Sequence, residues 1–148
     1  MTKSTADRYR VHSLDVEPDG SLSADDGWID MEVRWLITAD SVGSRKTVVG
    51  RTVLKPGSKH DIHRHPNAEE WEYVISGSAI KHIGDGHVRL SAGDVVFVPA
   101  NVYHGMENTS DSEPVVTIWG YSGASSLDDA GYLLPDIRPE PSANKRRD

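Results

Sequence analysis

His63 and His65 stand two residues apart, and on extended backbone such residues project to the same side. Both imidazoles can therefore aim at one point. Glu70 lies past a short turn containing Pro66 and Asn67, at the start of the next strand, so its carboxylate can return to that point. A later stretch, Gly93 to Asn108, reads as a turn, a buried strand over Val95–Val98, a Pro-containing turn and a new strand carrying His104. Imidazole nitrogen with carboxylate oxygen suits one divalent ion of iron, manganese, nickel, copper or zinc. His63, His65, Glu70 and His104 are the expected metal ligands. Such a set leaves two coordination positions open, where substrate, water or O₂ would be activated.

Glu72 shares strand parity with Glu70 and should face the same interior, whereas Trp71, Tyr73 and Ile75 should face outward. An inward carboxylate beside a metal is a candidate general acid or base. It could equally pair with Arg51 or Lys55 as support. His60, just before the ligand strand, reads as a polar loop residue and as a second candidate for moving protons. Glu69 has the opposite parity and belongs in solvent. His82 and His87 flank the Gly84-Asp85-Gly86 turn and are expected to be exposed. Tyr103, Met106 and Trp119 are candidates for the pocket mouth or for core packing.

Strands must position these groups. From Trp28, Met31, Val33, Trp35 and Ile37 alternate with Asp30, Glu32 and Arg34, the period of a half-buried strand. Further strands are expected at Thr47–Leu54, Glu70–Ser76, Ser78–Ile83, His87–Leu90, Val95–Val98, Tyr103–Glu107 and Val115–Trp119. Turn chemistry separates them at Pro56-Gly57, Ser76-Gly77, Gly84-Asp85-Gly86, Ala92-Gly93-Asp94 and Pro99-Ala100-Asn101. Short strands at this spacing predict an all-β sandwich or barrel. Residues 1–26 read as a loose N-terminal arm, 27–122 as the barrel domain, and 123–148 as a tail. One short helix is expected over Leu127–Ala130, capped by Ser125 or Ser126.

The pattern resembles the cupin family. Gly57, His63, His65, Glu70 and Gly77 fit every position of its first motif, and the spacing to Gly77 selects Glu70 over Glu69. Gly93, Pro99, His104 and Asn108 fit its second, with Asn101 where a glycine is usual. Asparagine tolerates positive φ better than most residues, so the turn should survive. The resemblance covers roughly Thr47 to Trp119 and implies a small single-domain cupin. Its fold would be an antiparallel β-barrel or jelly roll, the double-stranded β-helix, around the divalent metal.

The resemblance says less about the reaction, because one fold hosts many functions. The leading expectation is an O₂-dependent dioxygenase, or a related oxidative or decarboxylating enzyme, acting on a small oxygen-rich metabolite. The stretch from His63 to Trp71 particularly resembles oxalate-handling cupins. The alternatives are a non-redox Lewis-acid enzyme, such as an aromatic polyketide cyclase, lyase or isomerase, and a non-catalytic ligand-binding or sensing module.

Net charge is −7, and the only dense basic cluster is Lys145-Arg146-Arg147, so nucleic acid is not an expected partner. No apolar run approaches the ~18 residues that span a bilayer. The opening residues lack the apolar stretch of a secretory signal, and a cytoplasmic location is expected. There is no cysteine, hence no thiolate site. A homodimer is expected by analogy, with the Trp28–Ile37 strand able to pair with another subunit's sheet edge.

Overall fold

A computed structural model describes residues 4–135. The basic cluster Lys145–Arg147, together with Pro139 and Pro141, lies outside the described residues.

Eight strands form one antiparallel sheet that curls into a barrel: β1 (Trp28–Ile37), β2 (Thr47–His63), β3 (Glu69–Ser76), β4 (Ser78–Ile83), β5 (Gly86–Ser91), β6 (Val95–Val98), β7 (His104–Glu107) and β8 (Val115–Ser122). The order is β5-β4-β7-β2-β8-β3-β6, with β1 laid on β2. Among the described residues, two short helices, α1 (Ala39–Val42) and α2 (Leu127–Ala130), accompany the sheet. The α2 helix has its expected bounds, and Ser126 caps it by accepting a hydrogen bond from the Asp129 N–H. Three short 3₁₀ turns precede β1, and this arm is tied down: the Trp35 indole donates to Asp19 at 2.9 Å and Arg34 donates to the Val16 carbonyl.

The longest strand departs from expectation. Pro56-Gly57 bends β2 but does not end it. Residues Thr47–Leu54 pair with β8, and Lys59–His63 pair with β7, so one strand serves both halves of the barrel. Asn108 secures the bend, its buried amide donating to the carbonyls of Leu54 and Lys55 at 3.0 and 3.2 Å. Asn101 adopts φ 68°, the left-handed turn that glycine would make.

Burial follows strand parity on β3. Glu70, Glu72 and Val74 are buried, whereas Tyr73 and Ile75 are exposed. The expectation of a buried strand at Val95–Val98 is corrected: Val95 is 64% and Phe97 53% exposed, and only Val98 is buried. The cause is position, since β6 ends the sheet and its alternate residues lie beside Tyr73 and Trp71 on the outer face. Inside, one apolar cluster gathers Trp28, Val33, Val48, Trp119 and Tyr121; a second gathers Leu54, Val74, Ala79, Leu90, Met106 and Val115.

Candidate metal centre

All four expected ligands converge. One ligand atom from each of His63, His65, Glu70 and His104 lies within 4.8 Å of every other, and all four residues are buried. Two neighbouring positions of β2 and its extension supply the first two, β3 the third and β7 the fourth. His63 faces His104 directly across the β2–β7 pair.

Outer hydrogen bonds set the ring tautomers. Nδ1 of His63 donates to the Asp61 carbonyl at 2.7 Å, Nδ1 of His65 to the Gly131 carbonyl at 2.7 Å, and Nδ1 of His104 to the Val102 carbonyl at 2.9 Å. With Nδ1 committed outward as a donor, each ring turns its Nε2 inward, the arrangement by which proteins orient metal-bound histidines. Oε1 of Glu70 lies 3.2 Å from Nε2 of both His65 and His104. His65 Nε2 nevertheless lacks hydrogen-bonding geometry to any partner, although fully buried. Three inward Nε2 atoms around one carboxylate, that of His65 buried without a hydrogen-bond partner, are a donor set that fits a divalent ion.

The electrostatics agree. Burial pushes the Glu70 carboxyl up, but the charges of His104 and Lys81 and the His104 hydrogen bond outweigh it, and the group is held well below the usual carboxylate range. Burial, reinforced by the neighbouring histidines, pushes His63 well below its ordinary value. His60 is lowered for the same first reason. Burial and the nearby carboxylates raise Tyr121 well above a normal phenol.

Glu72 faces inward as expected, but its partner is neither Arg51 nor Lys55. Lys81 of β4, itself buried, donates to Glu72 Oε1 at 2.7 Å and to Glu70 Oε2 at 3.5 Å. The Thr117 hydroxyl donates to Glu72 Oε2 at 2.8 Å. Arg51 and Lys55 belong to outer positions of β2. Burial alone would lower Lys81; Glu72 and Glu70 outweigh it and raise it. Lys81 was missed because its neighbours arise from curling of the barrel, which sequence periodicity does not encode.

His60 is not a loop residue. It lies on β2, its ring stacked on His63 and tilted against Trp28, 4.0 Å from each, with Nε2 donating to the Tyr132 hydroxyl at 3.1 Å. Glu69 is exposed, as is His87, while His82 is half-buried and pairs with Glu107 at 2.6 Å. Met106 and Trp119 line the internal cavity beside His60, His63, Glu70, Glu72 and Lys81. Tyr103 is elsewhere, beneath the Arg64 guanidinium at 5.1 Å. The cavity measures about 30 Å³.

A double-stranded β-barrel with a three-histidine, one-glutamate centre defines a class of metal-site proteins. Residues 50–121, the stretch that carries all four of these side chains, match the family described as Cupin domain. It is 40% identical over 96 residues to oxalate decarboxylase OxdC of Bacillus subtilis, a match covering 60% of this chain and 25% of that enzyme. It is 28% identical over 110 residues to tetracenomycin polyketide synthase protein TcmJ of Streptomyces glaucescens, covering 74% of this chain and 73% of that protein. The polyketide cyclase RemF of Streptomyces resistomycificus shares the fold with a TM-score of 0.71 at 19% identity, covering 99% of this chain and 95% of that one. The chain thus spans about a quarter of OxdC. Among the described residues, no helix is long and apolar enough to cross a membrane.

Proposed function

We propose that this chain is a metal-dependent enzyme whose substrate is a small oxygen-rich anion, a carboxylate or enolate, converted by O₂-dependent oxidative or decarboxylating chemistry. One observation carries the reading: the cavity beside the ligand set is small and, with a divalent ion, electrostatically one anion short. Among the described residues, its buried charges are the carboxylates of Glu70 and Glu72 and the ammonium of Lys81. A divalent ion leaves one positive charge in excess, and a buried uncompensated charge is costly. A small anion restores neutrality. The similarity to oxalate decarboxylase supports the same class.

In this reading His63, His65, Glu70 and His104 hold the ion. When bound, it supplies Lewis acidity and, if redox-active, a route for electrons to O₂. The chain's own residues do the remainder. Trp28, Met106 and Trp119 give the cavity apolar walls, and Lys81 presents positive charge to the anion. Glu72, fixed by Lys81 and Thr117, is the group assigned to proton transfer at the substrate, with His60 across the cavity as the second candidate.

Elemental analysis of protein purified without added metal, paired with oxygen-electrode and CO₂ assays on oxalate and small enolic acids, tests the proposal. A redox metal with O₂ consumption or CO₂ release supports it. Similarity to TcmJ over 73% of that protein's length favours a second reading, a Lewis-acid cyclase or lyase. Turnover with zinc and without O₂ would select that one, and saturable binding without turnover would select a binding module.

A further inference from the structure

The orienting acceptors of the three histidines differ in origin. His63 and His104 donate to carbonyls two residues back along their own backbone, but the acceptor for His65 is Gly131, 66 residues away. It arrives on a short segment after α2 that lies outside the matched cupin stretch of residues 50–121.

This segment is pinned at successive points. Asn67 N–H donates to the Ala130 carbonyl at 3.0 Å; Arg64 N–H donates to the Leu133 carbonyl at 2.9 Å, and Leu133 N–H to the Arg64 carbonyl at 3.0 Å. The Tyr132 hydroxyl donates to the Asp26 carbonyl at 2.6 Å, and its ring stacks 4.8 Å from His63. Gly131 takes φ 84°, ψ 153°, a conformation open essentially to glycine alone, and a Cβ there would meet the Pro66 ring at 2.8 Å. The tight approach that brings its carbonyl to His65 therefore requires a residue without a side chain.

We infer that residues 130–133 form a metal-coupled strap, in which Gly131 is a positioning residue for His65 and strap closure and ion loading reinforce each other. This inference rests on the metal reading of the site. Losing an orienting acceptor of a metal-bound histidine typically weakens metal affinity about 10–100-fold. Linkage is reciprocal, so the ion must stabilise the closed strap by the same factor.

The test is hydrogen exchange on full-length, chelator-stripped protein with and without stoichiometric Mn²⁺ or Zn²⁺, with ion content fixed by elemental analysis. Exchange at the Arg64 and Leu133 amides should slow by about tenfold or more on loading. Leu133→Pro, which removes the N–H paired to Arg64, should weaken binding of either ion by about 10–100-fold, and Leu133→Ala, which keeps that N–H, should restore it. One bound ion per chain with unchanged exchange at both amides overturns the coupling, even if the proline variant fails to fold. Wild-type affinity in a folded Leu133→Pro variant overturns it equally. Absence of any bound ion overturns the metal reading itself, and the strap inference with it.

Discussion

Lys81→Met should be the most destabilising charge deletion in the barrel. The Lys81 side chain is 3% exposed and Glu72's 9%, so solvent screens their 2.7 Å pair very little. Removing one partner of a buried ion pair costs about 3–5 kcal/mol because the other charge stays behind uncompensated. Here the second Lys81 contact, to Glu70 Oε2 at 3.5 Å, is lost as well. For a chain of this size about 1 kcal/mol shifts Tm by roughly 2–4 °C, so the expected fall is about 6–20 °C. Lys81→Met/Glu72→Leu should recover most of it, since an apolar pair can replace a buried ion pair at little net cost. Only about 1–2 kcal/mol should remain, from the Thr117 hydroxyl losing its acceptor and Glu70 its cation. The assay is thermal and urea unfolding of the four metal-free proteins of this cycle. Costs that add to within about 0.5 kcal/mol, or a Lys81→Met cost under about 1 kcal/mol, would refute the reasoning.

Acidification should destabilise the metal-free protein. His60 and His63 are held well below their ordinary value, so the unfolded chain binds more protons than the folded one once pH falls below about 6.5. Stability should fall as pH drops from there, approaching about 1.4 kcal/mol per histidine per pH unit, as urea unfolding across pH 7 to 5 would measure. Glu70 has the usual carboxylate sign: its contribution is present above its unfolded value of 4.5 and is lost only as pH falls towards its depressed folded value. Glu72→Gln should lower kcat by about 10²-fold or more with metal content unchanged, as expected for a lost proton-transfer group; unchanged kcat on an identified substrate would remove Glu72 from that role. Gly77→Ala should cost at least about 1 kcal/mol in urea unfolding, because Gly77 sits at φ 83° and a Cβ there would drive into the Pro114 carbonyl. A neutral result would show that the β3–β4 turn relaxes easily.

Much of the four-residue cluster was legible because side chains on adjoining strands obey local rules of parity. Two-residue parity put His63 with His65 and Glu70 with Glu72, and the motif spacing of the resembled family, from Glu70 to Gly77, chose the glutamate that converges with the histidines. Asn101 kept the turn a glycine would make, for the conformational reason expected of asparagine. What local rules miss is registry between distant strands. Lys81 on β4 is separated from β7 by two intervening strands in sequence yet pairs opposite Met106, and the barrel's closure brings its ammonium back to Glu72. His60 read as loop because Pro56-Gly57 reads as a break, whereas β8, β7 and Asn108 between them hold the bent strand continuous. The strap was invisible for a related reason: its function resides in the Gly131 carbonyl, and a backbone acceptor leaves no signature in residue type.

The claim on which the rest depends is that four side chains share one ion, and calorimetric titration of chelator-stripped protein with Mn²⁺ or Zn²⁺ tests it most directly, run on the wild type beside His104→Ala. We predict one ion per wild-type chain and, in a variant that remains a folded barrel, binding too weak to saturate. No binding by the wild type, or stoichiometric binding by His104→Ala, would contradict it.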